Sequence, residues 1–189
     1  SVNFDDWQKE AALPPHIADR VFQTAMTFQL TTGCSHYCRR CNEWALPGIR
    51  GHFDFNAVCT VLDAAHQAGN TDISLYGASD PLDWSDTGHD GSTDILDVIQ
   101  RFSAPGCAYP LLTKVPKGRE GLLLRLLEKG AELSVSVTGK NKHRIRTIES
   151  RVRIPLPKQH DSDDLMIPAG LDEDFSTVKP SITDAYGTE

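Results

Sequence analysis

Apolar and polar positions along this chain switch repeatedly between a period of two and a helical period. Met26-Thr27-Phe28-Gln29-Leu30-Thr31-Thr32 alternates and is rich in β-formers, which predicts a strand. Over residues 53–69 the apolar positions Val58, Leu62, Ala65 and Ala68 fall at helical spacing, with Asp54 or Asn56 as the cap and Gly69 as the stop. Ile73-Ser74-Leu75-Tyr76-Gly77 predicts a second strand, and residues 78–91 form a polar loop with several aspartates. Residues 94–102 predict a helix with Ile95, Val98 and Ile99 on one face. A third strand is predicted over 109–115, a leucine-rich helix over 120–129 closed by Gly130, and a fourth strand over 132–138, where Leu133, Val135 and Val137 alternate with serines. Residues 140–149 read as helical and 151–155 as a fifth strand.

Strand and helix therefore alternate about four times, with crossovers long enough for parallel strands. The predicted class is α/β with a parallel sheet. A partial or full β/α barrel and a doubly wound sheet both fit, and in either one ligands gather at the C-terminal ends of the strands. Residues 1–24 read as a lead-in, with a short helix over 6–13 stopped by Pro14-Pro15. Residues 159–189 read as an irregular tail or the start of a missing C-terminal part. The chain opens at Ser1 and stops abruptly at Glu189, as a segment of a longer protein would. There is no internal repeat and no low-complexity tract.

Composition narrows the class only a little. The 189 residues suit one domain with a sizeable core, and 39% hydrophobic with 24% charged residues is ordinary for a globular chain. A net charge of −7 does not favour nucleic acid as a partner, since a phosphate backbone needs a basic surface. The basic run over 140–146 reads as a solvated helix face. No stretch approaches the ~18 uninterrupted apolar residues of a membrane span. Residues 1–6 have neither the basic start nor the apolar core of a secretory signal.

Cysteine placement changes the picture more. Five cysteines is an odd count, and Cys34, Cys38 and Cys41 fall within eight residues. That is no disulfide framework; thiolates held for a metal in a reducing cytoplasm fit better. By spacing alone the loop suits part of a zinc site, with His36 or a distant residue as fourth ligand, or an iron–sulfur cluster. Cys59 and Cys107 read as packing residues, and His16, His52, His66, His89 and His160 as isolated. A non-catalytic zinc or iron–sulfur module is the alternative to an enzyme.

Cys34-Ser35-His36-Tyr37-Cys38-Arg39-Arg40-Cys41, directly after the first predicted strand, resembles the Cys-x3-Cys-x2-Cys signature of the radical S-adenosylmethionine (SAM) enzymes. Gly77-Ala78-Ser79-Asp80-Pro81-Leu82-Asp83-Trp84, after the second, resembles a variant of that family's glycine-rich motif. The resemblance covers residues 28–155 and implies a partial β/α barrel over 25–158. It implies that Cys34, Cys38 and Cys41 bind a [4Fe–4S] cluster whose open iron chelates SAM. An electron from a flavodoxin- or ferredoxin-type donor would cleave SAM reductively to a 5′-deoxyadenosyl radical, which abstracts hydrogen from a substrate the sequence does not name. The resemblance further implies that Asp80 and the Gly77 backbone receive the SAM amino group, and that Ser136 meets ribose or carboxylate. The main chain of Arg40, where the family usually has an aromatic residue, would touch adenine. Lys114 at the end of the third strand would meet substrate or the SAM carboxylate. Arg144, Arg146 and Arg151 are candidate carboxylate clamps, and the substrate would lie near Trp84, Lys114 and His143.

Overall fold

Pro14-Pro15 follows a first helical stretch and also starts a helix. Helix α1 runs Pro15–Thr24 with proline in its first turn, where an N–H would have no helical partner and the ring presets φ. Its buried positions, Ala18 and Phe22, are four apart. The computed structural model describes residues 9–36, 38, 41, 43, 45–86, 88, 93–138, 141–153 and 155–160. Of the helix expected over 6–13, residues 9–11 are helical and 6–8 lie outside the described residues, as does the tail from residue 161.

The helices that follow and β5 and β6 match the hydrophobic pattern, while the expected strand over 73–77 makes only isolated bridges. Strand β1 (Thr31–Thr32) pairs antiparallel with β2 (Gly51–His52). Helix α2 (Phe55–Gln67) is capped by Asp54, whose carboxylate accepts the Ala57 N–H at 2.7 Å, and buries Val58, Cys59, Leu62 and Ala65. A 3-10 turn, Pro81–Asp83, precedes an antiparallel pair, β3 (Ser85–Asp86) and β4 (Thr93–Asp94). β3 lies where a polar loop was expected, and β4 lies just beyond that loop. Helix α3 (Ile95–Arg101) begins with a reciprocal cap between Asp94 and Asp97. Then come β5 (Leu111–Thr113), α4 (Glu120–Glu128), β6 (Leu133–Val137), α5 (Lys142–Val152) and β7 (Lys158–His160).

Besides these antiparallel pairs, parallel contacts join successive segments in chain order. Thr27 bridges Ser74, Asp72 bridges Ala108, β5 pairs with β6, and β6 pairs with β7. In the first pair the Phe28 N–H donates to Ser74 O at 2.8 Å and the Ser74 N–H to Met26 O at 3.0 Å. Alternate residues of these segments, among them Leu30, Ile73, Leu75, Leu111, Leu133, Val135 and Val137, are buried in one core with the apolar faces of α2 to α5. The architecture is mixed α/β. Among the described residues no helix is long and apolar enough to cross a membrane.

The fifth strand is displaced from its expected place. Residues 151–155 alternate, but Ile145, Ile148 and Val152 hold helical spacing and α5 continues through Val152. Arg153, at φ 54, then ends it in a left-handed conformation. Glu149 fastens the connection to β7. Its carboxylate accepts the Leu156 N–H at 2.9 Å and pairs with Lys158 Nζ at 2.9 Å. The Lys158 hydrogen bond, then the Leu156 N–H, hold the carboxyl below its ordinary value. A depressed carboxyl pKa gives stability that is present above the unfolded value and lost as pH falls through the folded one. Thermal melts of Glu149→Gln should therefore lie slightly below wild type at neutral pH and converge with it in acid. A gap that persists in acid would refute this linkage.

Candidate functional site

The loop that carries the three cysteines is closed at its base by main-chain bonds. The Cys34 N–H donates to Leu46 O at 2.9 Å and the Gly48 N–H to Cys34 O at 2.8 Å. Below them the Arg50 N–H reaches Thr32 O at 2.9 Å and the Phe53 N–H reaches Leu30 O at 3.0 Å. Gly33 makes this closure possible. It sits at φ +85, and a Cβ there would lie 2.0 Å from Gly48 O.

Cys34 is buried, Cys38 and Cys41 are half-buried, and none of the three is in a disulfide. The Cys34 Sγ accepts the His36 N–H at 3.5 Å and the Cys41 Sγ accepts the Ala45 N–H at 3.2 Å. Burial pushes the Cys34 thiol up to about 11; the His36 N–H opposes the rise, while the Asp80 and Asp83 carboxylates add to it. The three thiols share one loop but do not converge: among the described residues, no group of three or more His, Cys, Asp or Glu side chains is placed to hold a metal ion. Arg40 lies outside the described residues. Cys59 and Cys107 pack with the core, as their sequence positions suggested.

Against the loop lies the Pro81–Asp83 turn. Asp80 is 4% exposed, and its carboxylate serves four donors. Oδ1 accepts the Leu82 N–H at 3.0 Å and the Thr113 hydroxyl at 2.7 Å. Oδ2 accepts the Lys114 N–H at 2.8 Å and meets His36 Nε2 at 3.0 Å. Asp83, 3% exposed, accepts the Ser35 N–H at 2.9 Å. Burial pushes its carboxyl above the ordinary value, opposed by the Ser35 hydrogen bonds.

Gly77 has a use that its sequence context did not disclose. A Cβ there would come 3.1 Å from Gln29 Oε1, the atom that accepts the Ala78 N–H at 3.1 Å. Gln29 Nε2 in turn donates to Thr31 O at 2.7 Å. The side chain thus braces the first strand against the second, and a lone amide inside an alternating strand is the one sequence signal that marks it.

The third and fourth parallel segments complete the arrangement. Lys114 Nζ donates to Ser136 Oγ at 2.8 Å, and Ser136 is buried. Asn141 holds this end of β6: its Nδ2 donates to Ser136 O at 2.8 Å and its Oδ1 accepts the Thr138 N–H at 2.7 Å. Arg144 donates to the carbonyls of Lys114 and Val115 and pairs with Glu120 at 3.4 Å. Its fork is committed to the chain's own backbone, unlike the carboxylate clamp expected of it. Trp84, near which the substrate was expected, presents no exposed surface. It is wholly buried, with its indole N–H donating to Phe53 O at 2.8 Å. His143 and Arg146 are exposed on α5 and Arg151 is exposed near its end.

The cysteine loop, the Asp80 turn, and the Thr113–Lys114 and Ser136 positions therefore meet at one end of the parallel segments. Hydrogen bonds run from His36 through Asp80 to Thr113 and the Lys114 backbone, and the Lys114 side chain carries them on to Ser136. What gathers there is a thiol set, a buried carboxylate node and one ammonium group held by a hydroxyl. Comparison with protein-family models, with curated proteins and with solved structures finds no match to this chain.

Proposed function

We propose that residues 25–158 form the cluster- and SAM-binding core of a radical SAM enzyme on a partial β/α barrel. One observation carries the reading. The cysteine loop leaves the first parallel segment directly against the turn that follows the second, and that turn's Asp80 reaches the end of the third. This is the end where parallel α/β sheets collect their ligands.

The donors suit a [4Fe–4S] cluster in kind and number. Cys34, Cys38 and Cys41 are soft thiols on one clasped loop, three rather than the four of an electron carrier, and Cys59 and Cys107 pack elsewhere with the core. Metal binding commonly completes the folding of its own ligand loop, so loading would draw the three sulfurs together. The bound cluster would supply the electron that cleaves SAM to a 5′-deoxyadenosyl radical, drawn in turn from a flavodoxin- or ferredoxin-type donor in a reducing cytoplasm. The chain's own residues prepare the place. Gly33 and Gly48 close the loop, and Asp80 ties loop to strand ends. Lys114, steadied by Ser136, offers a positive charge to a carboxylate. Asp80 has both oxygens occupied, so in this reading it sets the geometry of the site, beside the Gly77 backbone, rather than presenting a free acceptor. With a net charge of −7, nucleic acid is not a favoured substrate.

Anaerobic reconstitution of the chain with iron and sulfide tests this. The expected product is brown, its absorbance changes when SAM is added, and dithionite then yields 5′-deoxyadenosine. A colourless chain that retains zinc would replace the enzyme with a structural metal module.

A further inference from the structure

Contacts to two buried carboxylates join the cysteine loop to the turn after the second parallel segment. The Ser35 N–H donates to Asp83 Oδ2 at 2.9 Å, and His36 Nε2 meets Asp80 Oδ2 at 3.0 Å. The partner they grip is rigid. Pro81 presets φ in the 3-10 turn, the Asp80 side chain caps it through the Leu82 N–H, and Leu82 and Trp84 on either side of Asp83 are fully buried. Asp80's other three donors belong to its own turn and to the strand end at Thr113 and Lys114. None of these three comes from the cysteine loop. His36 is the donor that the loop itself contributes.

The loop thus has two separate attachments. The stems, through Cys34 N–H to Leu46 O and Gly48 N–H to Cys34 O, fix where the loop begins and ends. The contacts of Ser35 and His36 fix the direction in which the chain leaves Cys34 toward Cys38. Stems alone leave that direction to the loop, and a cluster needs its thiols aimed inward at one point.

We propose that His36 and Asp83 are positioning residues that latch the first limb of the cysteine loop onto the Asp80–Asp83 turn, in the arrangement that admits a metal cluster. The identity of that cluster rests on the radical SAM reading; the latch does not.

The experiment compares wild type, His36→Ala and His36→Gln as full chains, first without metal and then after iron–sulfide reconstitution. In the metal-free chains, amide hydrogen exchange at Ser35 should be about tenfold faster or more in His36→Ala, the scale of one lost hydrogen bond to a charged group. The stem amides of Cys34 and Gly48 should change less than Ser35, and the melting temperature should fall only by the few degrees that one such bond is worth. Iron and sulfide content after reconstitution should fall in the alanine variant. His36→Gln, whose amide nitrogen can occupy the place of Nε2, should restore both. The latch is overturned if Ser35 exchange is unchanged, if the stem amides loosen as much as Ser35 does, if glutamine fails to rescue, or if the loosened loop still loads iron as wild type does. A wild-type chain that takes up no cluster would defeat the radical SAM reading, while the exchange measurements on metal-free protein would still decide the latch.

Discussion

Gly33→Ala should cost about 3–4 kcal/mol of stability and release the cysteine loop. Two effects add. At φ +85 an L side chain costs about 1–2 kcal/mol by itself. The larger effect is steric: the new methyl would sit 2.0 Å from Gly48 O, and that neighbour is backbone, which cannot swing aside like a side chain. The stems must separate, and the Cys34–Leu46 and Gly48–Cys34 bonds go with them, each worth about 1 kcal/mol net. Gly48→Ala is the matched control. Gly48 has a similar φ of +80 but open space around its Cβ position, so it should lose only the conformational part, about 1–2 kcal/mol. Denaturant unfolding of both variants measures the contrast. Equal losses would show that the close approach at Gly33 is not what holds the loop shut.

Asp80→Ala should be comparably damaging, by about 3–5 kcal/mol, because it strands a buried set of donors. The Thr113 hydroxyl and the N–H groups of Leu82 and Lys114 would lose their acceptor at a site almost closed to water. The Thr113 oxygen also accepts the Val115 N–H at 2.8 Å, so the disturbance passes along the strand end. Asp80→Asn keeps the shape and one acceptor oxygen, and should cost roughly half as much. Its amide nitrogen, facing the Oδ2 partners, can be accommodated by the His36 ring in its other tautomer but not by the Lys114 N–H. Equilibrium unfolding should order the three chains as wild type, asparagine, alanine. An alanine variant as stable as wild type would mean that water or a shifted side chain replaces the carboxylate.

Particular residues explain which features were readable in the sequence. Helix α2 was legible because its cap, its apolar spacing and its stop at Gly69 (φ +86) all agree. β6 was legible because Leu133, Val135 and Val137 alternate without interruption. Helix α1 was not, because Pro14-Pro15 was weighed as a stop, although proline is equally at home in a first helical turn. The fifth strand was misplaced because Arg151-Val152-Arg153 satisfies period two locally, while the buried Ile145 and Ile148 decide the matter over a longer window. In the candidate site, Asp80, Lys114 and Ser136 were each singled out from their places at strand ends. The contacts His36–Asp80, Gln29–Ala78 and Lys114–Ser136 were not readable, since they join residues 44, 49 and 22 positions apart that meet only in space. Nor does spacing reveal that Arg144 spends its donors on carbonyls.

The chain-order pairing of the parallel segments also has a consequence for biosynthesis. Each segment finds its partner in the next one to be made, so every new closure spans a short length of chain. The contacts of Ser35 and His36 need nothing beyond residue 83, the Asp80–Thr113 bond waits for the third segment, and the Lys114–Ser136 bond for the fourth. On a ribosome that synthesises from the N-terminus, the cysteine loop can dock before the polar groups that surround it exist.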